Sequence, residues 1–215
     1  MIAVSFAVSD ESRDFAREVH RAALPVRILH TGMGRESTLQ RGKAFLDSGP
    51  LPAFFISSGF AGGLDPALKV GDIVIGTNFS EASLVAKLPP GSHQGPLSTQ
   101  AAVVETGAAK HALFRQSGAI AVDMETAHLH AECAARGIPL LSIRVISDTA
   151  TQSMPVPQEV WFDSVAQKPR IASLLFWLAT HPAAIRPFVQ FVQGITLARK
   201  ELTRYLLEAL RSLAN

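Results

Sequence analysis

Short apolar runs alternate with amphipathic stretches along most of the chain. Ile2 to Val8 is β-branched and apolar and reads as a first strand, after which Ser9 is placed to cap a helix through about Ala23. Val26 to His30, Ala53 to Ser58 and Asp72 to Gly76 read as further strands, with Gly59, Gly62 and Gly63 predicting a tight turn after the third. The run IAVDMETAHLHAECAARGIPLLSIRVISDTA, residues 120–150, predicts strand, helix, strand. Its helix covers 125–136, with Gly137 as a stop and Pro139 beyond. A crossover this short predicts two parallel strands whose C-terminal ends share one edge of a sheet. Open α/β sheets bind ligands at that edge, and here it would carry Glu125 and Asp148. Each has a plainer local account: Glu125 complements a helix N-terminus, and Asp148 serves as an N-cap.

Other stretches are less regular. LPPGSHQGPLS, within 78–104, reads as a loop. Residues 101–105 lead into a helix ending at Phe114, and Ala119 to Val122 form the strand before the central run. TQSMPVPQEVWF is a Pro-punctuated loop suited to a lid, and its Trp161 and Phe162 read as core or interface side chains. Residues 170–213 predict helices broken at Pro182 and Pro187. In the last of these, Leu202, Tyr205, Leu206, Ala209, Leu210 and Leu213 recur at helical spacing. These helices pack on the sheet or a second subunit. Alternatively, Phe176, Trp177, Phe188, Phe191 and Val192 face a lipid surface, with Arg186, Arg199, Lys200 and Arg204 near headgroups.

Composition narrows the class. Hydrophobic residues make up 47% of the 215 and charged residues 18%, which fits one α/β domain with a filled core or such a domain plus an appendage. A formal charge of +2 gives no footing for nucleic acid. The single cysteine, Cys133, excludes an internal disulfide and a CxxC metal site and fits a reducing compartment. The first residues have no basic region like that of a signal peptide, and Ile171 to Ala179 is too short to span a bilayer, so the expectation is a cytoplasmic protein. His128 and His130 face different ways on their helix and make no metal pair, and nothing calls for a metal or an organic cofactor.

Several motifs compete for the chemistry. Gly32-x-Gly34 before a helix suits a phosphate or dinucleotide, but Ser37 stands where the dinucleotide fingerprint needs a third glycine. Ser57 and Ser58 lack the glycine two residues upstream that a hydrolase nucleophile elbow requires. AVDMET followed by IRVISDTA resembles the paired signature of the purine nucleoside phosphorylase and nucleosidase superfamily. SSGFAGGLDPALKVGDIVIG, residues 57–76, resembles its Gly-rich turn and strand, and TGMG, residues 31–34, its sugar-side turn.

The resemblance implies a single-domain three-layer α/β/α architecture with a twisted mixed sheet over 1–168 and a C-terminal helical appendage over 169–215. It implies cleavage of a purine N-glycosidic bond, adenine being the expected base. Asp148 would protonate the base at N7, Glu11 would orient the attacking water, and Glu125 would accept hydrogen bonds from the ribose hydroxyls. Met124 would pack on the sugar, and Asp123, Gly32, Ser58, Gly59, Phe60, Ala61 and Ser147 complete the expected substrate contacts.

Ser57 stands where phosphorylase members carry a phosphate-gripping arginine, which favours water as nucleophile, although Arg35 could substitute. The aromatic that stacks on the base in relatives is missing, with Ala102 or Val103 near its place. The apolar, basic tail resembles the hopanoid-associated members, which implies an adenosyl-hopane lipid as substrate and peripheral membrane contact. Relatives also imply a homo-oligomer. Two alternatives stay open: a phosphate-dependent phosphorylase, and a nucleoside-binding module that has lost catalysis.

Overall fold

The computed structural model describes residues 1–163 and 166–214. Its strands are β1 (Ile2–Phe6), β2 (Val26–His30), β3 (Phe55–Gly63), β4 (Ile73–Gly76), β5 (Ser92–Gly95), β6 (Leu97–Thr99), β7 (Ala121–Asp123), β8 (Leu140–Asp148), β9 (Phe162–Asp163) and β10 (Lys168–Pro169). The helices are α1 (Ser9–Arg21), α2 (Arg35–Asp47), α3 (Ala82–Val85), α4 (Gly107–Ser117), α5 (Thr126–Ala134), α6 (Gln158–Trp161), α7 (Ile171–Thr180) and α8 (Ile185–Ala214).

The main path of the sheet runs β2-β1-β3-β8-β4-β5. Its first four strands are parallel, β4 is antiparallel to β8, and β5 is parallel to β4. Helices α1 and α8 cover one face, where Phe6, Phe15, Ile143, Leu202 and Leu206 meet. On the other face α2 and α5 close over Leu29, Leu46, Phe55, Leu129 and Leu140. The three-layer α/β/α arrangement with a mixed sheet is therefore the one expected. All six periodic apolar positions of the last helix, from Leu202 to Leu213, are buried, each large side chain contributing about 1.5–3 kcal/mol. Residues 171–197 contain no buried position at all. Pro187 breaks nothing, because it lies in the first turn of α8, where no backbone N–H is needed.

Local expectations shift in four places. Val8, not Ser9, occupies the cap position of α1; the Glu11 carboxylate accepts from the N–H of Ala7 at 2.8 Å and of Val8 at 3.4 Å. Gly59, Gly62 and Gly63 do not turn the chain but extend β3, with a register shift between Ala61 and Gly62. The stretch read as a loop contains β5 and β6, polar edge strands whose Ser, His, Gln and Gly residues hide the alternation.

The fourth shift concerns the central crossover, which does not join parallel neighbours. β8 is parallel to β3, but β7 pairs antiparallel with it on the opposite side, where β1 has ended. The nine-residue α5 thus returns the chain across β3. Convergence survives by this other route, since Val122 and Asp148 both pair with Gly62, one from each flank.

Candidate active site

The ends of β1, β3, β7 and β8, the turn at 31–34 and the segment 150–170 enclose a cavity of about 940 Å³, near the top of the range for small-molecule sites. Glu11, Gly32, Phe60, Ala61, Asp123, Met124, Glu125, Ser147 and Asp148 line it. Of the residues expected there, Ser58 and Gly59 do not. Ser58 is buried in β3 and serves through its carbonyl, which accepts from Arg144. Gly59 has φ +142°, and a Cβ on it would lie 2.7 Å from Arg144 Nη1 and 3.0 Å from Glu11 Oε2, so only glycine lets those charges approach the strand.

Arg144 organises one end of this site. Only 1% exposed, it pairs with Asp123 Oδ2 at 2.7 Å and donates to Ser57 Oγ at 2.9 Å, Thr126 Oγ1 at 2.7 Å and the Ser58 carbonyl at 3.1 Å. Asp123 also accepts from the Thr126 N–H at 3.0 Å, from the Thr126 hydroxyl, and from Thr99 Oγ1 at 2.6 Å. Its carboxylate is committed to the protein, so Asp123 supports the site instead of presenting an oxygen to a ligand. Arg144 lies in the quoted signature, but nothing local indicates that a charge within LLSIRVI turns inward to organise two carboxyl groups.

Glu125 accepts from the Gly34 N–H at 3.1 Å and weakly from its neighbour Met124 at 3.4 Å. Burial pushes its pKa up to about 8; Asp123 and Glu11 add to the rise, and Arg144 and the Gly34 N–H oppose it. Burial likewise raises the Glu11 carboxyl, against Arg144 and the N–H groups of Ala7, Phe60 and Val8. The donor from Phe60 lies at 3.4 Å. The turn that delivers Gly34 has φ +74° at Gly32 and +82° at Gly34. It is clasped from far along the chain: Gln167 Oε1 accepts from the Met33 N–H at 2.7 Å, and Gln167 Nε2 donates to the Met33 carbonyl at 3.2 Å.

Asp148 stands on the other side of Gly62. Its Oδ1 accepts from Ser147 Oγ at 2.6 Å, and its Oδ2 accepts from the Lys110 ammonium. Lys110 is 1% exposed, and the sequence carries no local sign of this contact, made 38 residues away. Ser57 belongs to the buried Arg144 network. Arg35 does not line the cavity; the arginines that do are Arg13, Arg41 and Arg199, and Arg199 is held by Asp10 at 2.9 Å and Asp14 at 3.0 Å. Among the described residues, no three His, Cys, Asp or Glu side chains assemble as a metal site.

The remaining wall is apolar. Met154, Val156, Trp161 and Phe162 come from the 150–170 segment, joined by Leu174, Phe188, Phe191 and Ile195 of α7 and α8. Trp161 and Phe162 are thus cavity residues, with ring centroids 5.6 Å apart. Ala102 and Val103 line the cavity too, so its aromatic surface comes from Trp161 and Phe162 together with Phe60, Phe188 and Phe191.

The chain has counterparts among known proteins. A family model described as the phosphorylase superfamily matches residues 81–174, and the resemblance read from the sequence is borne out. The 5′-methylthioadenosine/S-adenosylhomocysteine nucleosidase of S. pneumoniae superposes with a TM-score of 0.70 at 18% identity, covering 99% of both chains. The corresponding Helicobacter pylori nucleosidase gives 0.70 at 14% identity, covering 98% of this chain and 97% of that one. Futalosine hydrolase of Helicobacter pylori gives 0.69 at 14% identity with the same coverage. At these identities the superpositions establish the fold. No curated protein sequence matches the chain.

Proposed function

We propose that the chain hydrolyses the N-glycosidic bond of a purine nucleoside, with adenine as the departing base. One observation carries this reading: Asp148 and Glu125 face a single cavity from opposite flanks of Gly62, with the buried Glu11 close to Arg144, the partner of Asp123. Departure of a purine needs a proton at N7, and on this reading Asp148 delivers it. The sugar passes through a cationic state. Burial makes Glu11 and Glu125 hold protons more firmly than usual, and a ribosyl cation would draw out their charged forms. Glu125 receives the ribose hydroxyls, Met124 packs on the ring, and Glu11 directs water to C1′.

Water is preferred to phosphate because Arg144 is bound to Asp123, Ser57, Thr126 and Ser58 and has no fork to offer an oxyanion. Adenosine-type nucleosides incubated in phosphate-free buffer should release free adenine. A strict requirement for phosphate would turn the assignment to a phosphorylase, and adenine binding without turnover to a binding module.

The same reading extends to the 5′ side. The apolar wall from α7 and α8 suits a large hydrophobic 5′ substituent, such as an adenosyl-hopane-type lipid, met at a membrane surface. Leu175 and Phe176 are 63% and 74% exposed, and residues 164–200 contain no acidic residue, only Lys168, Arg170, Arg186, Arg199 and Lys200 as charges. No described helix is long and apolar enough to cross a membrane. Anionic vesicles should co-sediment the chain and lose it on Leu175→Asp with Phe176→Asp. Equal pelleting, or a dimer that covers this hairpin in solution, would remove the lipid reading.

A further inference from the structure

Lys110 is the only buried residue of α4. Burying an ammonium costs several kcal/mol unless its surroundings compensate. Here they do: its three N–H bonds go to Asp148 Oδ2, to the Thr149 carbonyl at 2.9 Å and to the Gln152 carbonyl at 2.9 Å. A neutral amine has only two hydrogens and would leave one acceptor unserved, so this niche is built for the cation. Asp148 lines the cavity and Lys110 does not. The ammonium therefore sits behind the carboxylate, out of reach of a ligand.

We propose that Lys110 is the positioning residue for proton donation. It holds Oδ2 toward α4 and leaves Oδ1 to serve the base. The inference rests on the reading of Asp148 as the proton donor. Ser147 supplies the complementary part. Its single hydroxyl hydrogen has two acceptors in reach, Asp148 Oδ1 at 2.6 Å and the Ala61 carbonyl at 3.2 Å. When Oδ1 takes a proton from solvent, Ser147 turns its hydrogen to Ala61. The proton on Oδ1 then passes to N7 while the electron pair of the C1′–N9 bond leaves with the base. Asp148 is returned as the carboxylate already paired with Lys110, which keeps its own protons throughout. Stabilising that product state lowers the barrier to reaching it.

Other charged groups near this path face elsewhere. Asp123 is bonded to Arg144, Glu125 to the N–H of Gly34, and the Glu105 carboxylate accepts from the Gln158 N–H at 2.9 Å. Gly62 on β3 brings no charge.

The sign of the test follows from the pairing: a cation favours the carboxylate, so its removal makes Asp148 hold its proton to higher pH. In K110M, the alkaline limb of kcat/KM for adenine release from adenosine should move up by about one pH unit or more, with a maximum about tenfold lower. K110R should move both back toward wild type. An unmoved limb in K110M overturns the proposal, since a purely structural lysine would change stability and leave the profile in place. A second readout needs no turnover. In 13C-carboxyl NMR of the ligand-free protein, with Asp148 assigned by comparison with D148N, the midpoint should rise in K110M; an unchanged midpoint again refutes the pairing. No adenine release by wild type, with the NMR shift intact, would instead defeat the nucleosidase reading. Should K110M not fold, K110Q carries the same expectations.

Discussion

Around Glu125, three carboxyl groups crowd about one buried guanidinium: Arg144 pairs directly with Asp123 and acts electrostatically on Glu11 and Glu125. Around Asp148, one carboxylate has one buried ammonium to itself. The first end is short of positive charge, so Glu11 and Glu125 keep protons beyond the usual range and, on the proposed function, answer a cation that forms in the cavity. At the second end the charge is already balanced, and on the proposed function the pairing sets the direction in which Asp148 gives its proton. On the proposed function, the buried Glu125 and the half-buried Asp148 take different jobs because they share cations in different numbers.

The sharpest way to break this contrast is Asp148→Asn. It keeps the shape and removes the donor, so adenine release should fall by about 10²–10⁴-fold with the far-UV circular dichroism unchanged. An active Asn variant would refute the assignment of the acid.

Arg144→Met attacks the other end. It strands Asp123 and its crowded neighbours without their cation, and denaturant titration should show a loss of about 3–5 kcal/mol. Combining it with Asp123→Asn should recover part of that loss, because the uncompensated charge goes with the partner. A single variant as stable as wild type would mean that Arg144 is not the hub.

Glu125→Gln sharpens the comparison most gently. The Glu125 carboxyl ionises near 4.5 when unfolded and near 8 when folded. The folded state therefore binds the extra proton between those values. Its stabilising contribution is full below the lower value and is lost as pH rises through the higher one. The melting temperature of the ligand-free protein should decline over that window. The Gln variant should show a shallower decline, not a flat one, because the raised Glu11 has the same sign. An unaltered slope would separate Glu125 from the effect.

Much of the frame is legible in the chain. The strands from Ile2, Val26 and Leu140 announce themselves by β-branched runs, and Leu202 to Leu213 by helical spacing, because burial on one face leaves a periodic trace. Glu125 and Asp148 are legible through their flanking motifs. What escapes is contact made at a distance and direction set by pairing. Lys110 looks like any helical lysine until Thr149 and Gln152 close over it. Nothing in the sequence ties Gln167 to Met33, which it clasps from 134 residues away. The antiparallel entry of β7 depends on β1 stopping at Phe6, which frees the flank of β3 beyond Ser57. Short polar edges such as Ser92–Gly95 carry no alternation to read.

Because Val122 and Asp148 are both registered against Gly62, the two arms of the site are separated by two strand spacings, about 9.5 Å. On the proposed function, the sheet itself is thus a ruler for the bond to be cut. Insertions in the segment 150–170 or in the tail can reshape the entrance and the far wall while this gauge stays fixed. Divergence in what enters would then be compatible with constancy in where that bond is broken.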